Sequence, residues 1–375
     1  MELPIAPFGE ITVTGKDLLT FINFHYNINT EIVTTSIVGS GSITQSASTA
    51  VLSTGTDADG EAHIESRHPA RYLPGQGMLI IFSAKFGENG TSVQEAGYGH
   101  ADDGFFFTYQ NGTINAVRRS SVTGTSVDEV IPYSQWNYRH NVPELDPHKF
   151  NVYGISFQWL GAGEITYWIE NRHVGLLVPV HKILYANFND EMSLKNPSLH
   201  LHAKALNTTA GASTTLAIGN MAAYAYGKRE FSGPRQAHRA ALAYTTGAER
   251  LVLAIENKHS VFGGTLNNRS TINPTHLSWS TDGTKSGVFR IYRCTIAGGT
   301  SADINANTSL AKAYTGTPTL SNQKLILAVE ATKIDKDLNL LPDDFILAPG
   351  EAIAGTFESI ANSDIALSYS WKELL

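Results

Sequence analysis

Glu164 and Glu170 are the carboxylates in this sequence spaced most like a hydrolytic pair. Cleavage of a glycosidic bond needs two carboxyl groups on either side of it, roughly 5–5.5 Å apart for retention or about 6.5–9.5 Å for inversion. A single strand can supply both as Glu-x-Asp-x-x-Glu, a pattern that does not occur here. On one strand, at about 3.3 Å per residue, Glu164 and Glu170 stand roughly 20 Å apart, too far to share one bond. They read as hairpin-end or solvent-facing residues, and the chain reads as non-enzymatic.

Asp57-Ala-Asp59-Gly60-Glu61-Ala-His63 gathers three carboxylates and an imidazole. It opens like a calcium loop but lacks the bidentate Glu at the twelfth position. Asp57, Asp59 and Glu61 are candidate ligands for a hard cation, in a segment that otherwise reads as a solvated turn entering the strand around Ile64. Asp335, Asp337, Asp343 and Asp344 read as a solvated loop. His200-x-His202 puts two rings on one strand face, which zinc would use only with a third ligand that the sequence does not name. No nucleophile elbow, phosphate loop or dinucleotide fingerprint is present, and no cofactor is expected.

The only cysteine, Cys294, excludes an intrachain disulfide and a thiolate-built metal site. Its segment, Val288-Phe-Arg-Ile-Tyr-Arg-Cys294, alternates like a strand and marks a buried structural thiol. Ser134-Gln-Trp136-Asn-Tyr138-Arg139-His140 concentrates aromatic and polar side chains among few apolar anchors. Trp136, Tyr138, Arg139 and His140 are therefore candidates for stacking on a sugar or anchoring a partner, or else for capping a core. Arg118-Arg119 reads as a solvated edge that discourages sheet-to-sheet pairing.

The elements that must carry these residues are strands. Met78 to Lys85, Gly104 to Tyr109, Phe150 to Trp159 and Ile165 to Glu170 are rich in β-branched and aromatic residues and bounded by turn formers. Asn89-Gly90, Asn111-Gly112 and Asp282-Gly283 are hairpin turn pairs. Gly15 to Ile22 fits a short helix or a strand, and Ala237-His-Arg-Ala-Ala-Leu-Ala a helical turn or two. Segment 36–60, rich in Ser, Thr, Gly and Ala, fits a flexible arm or an edge strand. Ile365, Leu367, Tyr369 and Trp371 alternate with small residues, which predicts a docked final strand. The fold class is all-β.

At 375 residues the chain is long enough for two domains. A composition shift near residue 228, with the basic cluster Lys228, Arg229, Arg235 and Arg239, marks a linker. The boundaries read 1–227, a linker at 228–247, and a smaller domain at 248–375. The formal charge of −7 and thinly spread basic residues argue against a nucleic-acid partner. No apolar run reaches a membrane span, and Met1 to Phe8 lacks the regions of a signal peptide. The five sequons, at Asn89, Asn111, Asn207, Asn268 and Asn307, then carry no glycan.

A set of stretches in order adds a resemblance: Arg71-Tyr-Leu-Pro-Gly-Gln-Gly, Asp103-Gly-Phe-Phe-Phe-Thr-Tyr with Asn111-Gly-Thr, and Leu145-Asp-Pro-His-Lys-Phe-Asn-Val-Tyr. Phe157-Gln-Trp-Leu-Gly-Ala-Gly-Glu-Ile-Thr-Tyr-Trp-Ile-Glu-Asn, Pro179-Val-His-Lys-Ile-Leu-Tyr-Ala-Asn and Leu194-Lys-Asn-Pro-Ser-Leu follow. Together, over roughly 65–230, they resemble the concanavalin/laminin-G-like β-sandwich virion structural proteins of tailed bacteriophages and large DNA viruses. Leu347 to Glu373 is similar to the closing strands of C-terminal sandwiches on such proteins. The resemblance implies an N-terminal concanavalin-like, jelly-roll type sandwich followed by a smaller sandwich. It further implies an oligomeric tail, baseplate or capsid-surface component made in a host cytoplasm. Its partners would be other virion proteins and copies of itself, with a host glycan or receptor as the alternative. It transfers no catalytic residue.

Overall fold

The computed structural model describes residues 15–88, 91–227, 233–243, 247–261, 264, 267–281, 287–331, 336–339, 346–359 and 362–374. Outside them lie Met1 to Phe8, the turns at Asn89-Gly90 and Asp282-Gly283, Lys228, Arg229, and Asp335, Asp343 and Asp344. Apart from two 3₁₀ turns, Tyr133–Gln135 and Arg139–Asn141, every regular element among the described residues is a strand. No helix among them is long and apolar enough to cross a membrane. Contacts divide the chain into two compact units, Met1–Arg229 and Glu230–Leu375.

The first unit opens with β1 (Lys16–Ile22), β2 (Val33–Val38), β3 (Ser42–Ser46), β4 (Thr49–Ser53) and β5 (Glu61–Ser66). It continues with β6 (Met78–Lys85), β7 (Ser92–Gly99), β8 (Gly104–Gln110), β9 (Thr113–Ser120) and β10 (Val127–Pro132). It closes with β11 (Asn151–Phe157), β12 (Ile165–Asn171), β13 (Leu176–Ile183), β14 (His200–Asn207) and β15 (Thr215–Tyr226). An eight-stranded sheet runs β13-β12-β11-β6-β15-β4-β3, with β1 also on β15. The facing sheet runs β10-β9-β8-β7-β14-β5-β2. Segment 36–60, read as an arm or an edge strand, thus supplies ladder strands in both sheets.

Period-2 alternation sends one side of each strand into the space between the sheets. Phe107 of β8 meets Tyr153 of β11 at 4.8 Å and Tyr167 of β12 at 5.3 Å between ring centroids. Phe82 of β6 lies 6.3 Å from the same ring. All four are fully buried or nearly so, and a buried aromatic of this size contributes several kcal/mol of the fold's stability, about 3–5 for Phe. Asn111 and Gly112 both have positive φ, 54° and 76°, as the two-residue turn between β8 and β9 requires.

The second unit comprises β16 (Arg235–Leu242), β17 (Arg250–Asn257), β18 (Thr271–Thr281), β19 (Gly287–Ala297) and β20 (Thr300–Asp303). Then come β21 (Ala311–Thr315), β22 (Thr319–Ala331), β23 (Lys336–Asn339), β24 (Ala352–Ser359) and β25 (Ile365–Leu374). Its sheets run β16-β25-β18-β23 and β20-β21-β17-β24-β19-β22. Trp279 of β18 stacks on Phe289 of β19, 4.9 Å between rings, joining the two sheets. Ile365, Leu367, Tyr369 and Trp371 are buried, as their alternation predicts.

Two expectations are corrected. The Ala-rich stretch is not helical: it forms β16, antiparallel to β25 from Arg235↔Lys372 to Leu242↔Ile365. Residues 235–242 alternate strictly between exposed and half-buried, and that period of two, completed by a partner edge, outweighs alanine's helix preference. Within the expected linker at 228–247, the described residues Arg235–Leu242 thus form a strand of the second unit. Gly15 to Ile22 resolves to a strand for the same reason, β1 pairing with β15.

Candidate functional site

The outer side of the seven-stranded sheet carries the densest polar cluster described in the chain. Cross-strand partners share a face. The register aligns His63 of β5 with Lys204 of β14 and Glu95 of β7. The next row aligns Glu65, His202, Gly97 and Phe106. The alternate residues Ala62, Ile64, Ala96, Ala203 and Ala205 go into the core, so the sandwich itself forces these polar groups onto one surface.

Glu95 organises that surface from the middle strand. Its side chain is 1% exposed, and Arg119 forks onto it through Nη2 at 2.9 Å and Nη1 at 3.3 Å. Lys204 Nζ lies 3.4 Å away, and His202 Nε2 2.8 Å from Oε1. Burial alone would raise this carboxyl. The His202 hydrogen bond and the charges of His202, Arg119 and Lys204 overcome it and hold Glu95 well below the usual carboxylate range.

Arg119 is fixed from its other side by Asp128, Nε to Oδ1 at 2.8 Å. Its guanidinium lies 4.8 Å from the centre of the Phe106 ring, and the His202 ring 5.2 Å from it. Phe106 can lie flat there only because Gly99 and Gly104 beneath it have no side chains. A Cβ would come within 2.0 Å of the ring at Gly99 and 2.4 Å at Gly104.

His63 completes the cluster. Its Nε2 lies 3.1 Å from His202 Nδ1 and 3.8 Å from Glu65 Oε2. The two rings are 4.6 Å apart. Burial, followed by the His202 and Lys204 charges, pushes His63 down to about 3, so it is neutral over the ordinary pH range. One ligand atom from each of His63, Glu65 and His202 falls within a 4.8 Å group, the only such group of three among the described residues. Two imidazoles and a carboxylate are a donor set for a transition-metal ion.

The sequence-derived candidates fare unevenly. Asp57, Asp59 and Glu61 do not gather into a ligand group; the exposed Asp57 carboxylate instead accepts from Ser40 N at 2.7 Å, pinning a turn. His200 and His202 do share a face, but the His200 Nδ1–H donates to Ser66 O at 2.6 Å, and the partners of His202 come from other strands. Trp136 is 3% exposed, packs against Phe107 and donates Nε1–H to Ile131 O, so it caps the core. Tyr138, Arg139 and His140 remain at the surface beside it. Arg119 is no solvated edge, because β10 covers β9 and Glu95 binds it. Glu164 is held by Lys182 and Thr166. Cys294 is buried, as its alternation predicts.

Two of the stretches that carry the family resemblance, Arg71 to Gly77 and Phe157 to Asn171, meet at one end of this unit. Gln158 Nε2 donates to Gly75 O at 2.9 Å, Leu160 N to Tyr72 Oη at 3.1 Å, and Tyr72 packs edge-on to Trp159. Leu160 and Gly161 turn with positive φ, 38° and 89°, and Gly161 O accepts from Ser193 N. Leu160, Leu184 and Met192 near this turn are 55%, 60% and 54% exposed, and Phe188, in the same 184–192 segment, 80%.

No protein-family model matches the chain, and no curated protein is similar to it. Solved structures are similar over about half of the chain. A lichenase from a mouse hindgut metagenome is 13% identical with a TM-score of 0.37, over 55% of this chain and 98% of its own. Peanut lectin is 11% identical with a TM-score of 0.34, over 55% and 97%. The receptor-binding domain of botulinum neurotoxin mosaic serotype C/D is 9% identical with a TM-score of 0.34, over 56% of this chain and only 47% of that domain. The chain is a nearly all-β protein whose strands form antiparallel sheets packed as sandwiches. The expectation of a non-enzymatic chain does not stand, since β-glucanases are among the structures sharing the fold.

Proposed function

We propose that this chain is a structural and recognition component of a virus particle, in which the N-terminal sandwich holds copies of itself together through the loop end around Leu160. The exposed apolar group Leu160, Leu184, Phe188 and Met192 carries the reading. The β11–β12 turn places Leu160 at the sheet end where Ile165 pairs with Ile183, the residue before Leu184. Met192 lies against Gly161. Large apolar side chains brought together at a surface mark protein contact sites. The virion assignment is supported by the sequence resemblance, of which Phe157 to Asn171 includes this turn.

Sedimentation velocity of the full chain tests the surface. Concentration-dependent assembly is expected, and Phe188→Ser with Met192→Ser should abolish it. A wild-type chain that stays monomeric at high concentration overturns the self-contact. Mass spectrometry of purified particles tests residence, and absence of the chain's peptides refutes the virion reading. Exposed Tyr138, with the His140 ring 6.3 Å away, favours glycan recognition as a second reading. A glycan array with binding lost in Tyr138→Ala would support it.

A further inference from the structure

We infer that His63, Glu65 and His202 form a binding site for a divalent first-row transition ion, with Zn²⁺ as its natural class of occupant. The inference is independent of the loop-end reading. Three features carry it. First, the donors converge: His63 Nε2, His202 Nδ1 and a Glu65 oxygen lie within 4.8 Å of one another. With zinc bonds of about 2.0–2.2 Å, donors on a tetrahedron are about 3.3 Å apart. The two nitrogens, 3.1 Å apart, already match that spacing, and Glu65 Oε2 stands 3.8 Å from the His63 nitrogen.

Second, the tautomer of His202 is set for ligation. In the neutral ring, the Nε2–H donated to Glu95 leaves the lone pair on Nδ1, facing His63. A carboxylate on the far nitrogen of a ligating histidine fixes its ring and raises its basicity. Arg119 and Lys204 lock that carboxylate in turn. Glu65 adds one carboxylate to the two imidazoles, a charge that favours a divalent ion.

Third, there is access. The side chains of His63 and Glu65 are 19% and 20% exposed while His202 is buried. Three protein donors with solvent on one side leave a coordination position for water or a ligand oxygen, such as a sugar hydroxyl or a carboxylate.

Metal-free full-length protein titrated with Co²⁺ and followed by visible absorption, then with Zn²⁺ by calorimetry, tests this. One equivalent of Co²⁺ should give d–d bands that Zn²⁺ displaces. Glu65→Gln and His63→Gln should each weaken binding at least about tenfold, and Glu95→Gln by about 10–100-fold. His173→Ala, at the surface elsewhere, should leave it unchanged. Circular dichroism of each metal-free variant checks that it folds; should His63→Gln fail, the near-isosteric Glu65→Gln decides. Absence of saturable binding, or equal affinity in Glu65→Gln, overturns the site.

Discussion

His202 donates its Nε2–H to Glu95 Oε1 at 2.8 Å across the β7–β14 pair, on the outer side of the sheet rather than in the core. The acceptor belongs to the central strand of seven and is as buried as the core side chains. A buried carboxylate tolerates that position only while its partners remain. Glu95→Gln keeps the shape and removes the charge, leaving Arg119 and Lys204 facing an amide. A loss of about 3 kcal/mol in urea unfolding is expected. A change below about 0.5 kcal/mol would show that the network contributes nothing to the fold.

Acid sensitivity follows from the same cluster. The folded protein keeps His63 neutral until about pH 3, whereas the unfolded chain protonates it below about 6.5. Unfolding therefore takes up a proton in that window, and stability falls as pH drops from about 6.5 toward 3. Glu95, held low in the fold, adds to the loss once pH passes below the ordinary carboxylate range. Urea midpoints measured with chelator present should decline from pH 6.5 to 5, and His63→Gln should flatten that decline. An unchanged slope in the variant would refute the assignment to His63.

Phe107 bridges the two sheets of the first unit through Tyr153, Tyr167, Phe82 and Trp136. Phe107→Ala should cost about 3–5 kcal/mol, from lost transfer energy and the cavity left behind. Chemical denaturation followed by tyrosine and tryptophan fluorescence reads this directly. A cost under about 1 kcal/mol would mean that the sheets do not depend on this contact.

Cys294 is 3% exposed, and burial pushes its thiol up to about 12. The thiolate is the reactive form, so the folded protein should resist an aromatic disulfide reagent at pH 8 and react with one equivalent once unfolded in guanidinium. Rapid labelling of the native chain would contradict this burial.

The sequence by itself determined the class of the fold and much of its inner face. Alternation in Ile365 to Trp371 and in the segment of Cys294 predicts which residues are buried, because a strand's side chains repeat every two residues whatever the strand pairs with. Asn111-Gly112 specified its own turn, since the positive φ it needs is a local property. Only the tertiary structure decided β16, whose alanines suit a helix until β25 offers a pairing edge. The same holds for the metal-type cluster: His200-x-His202 showed a shared face, but not that His202 would turn to Glu95 and His63, far away in sequence. Ala62-His63-Ile64-Glu65-Ser66 alternates visibly, yet its polar side gains meaning only when β5 pairs with β14. Likewise Trp136 read as either a core cap or a partner contact, and the packed sheets decided it by putting Phe107 beneath it. Local sterics are written in neighbouring residues, whereas a site built across strands depends on register, which the whole sandwich sets.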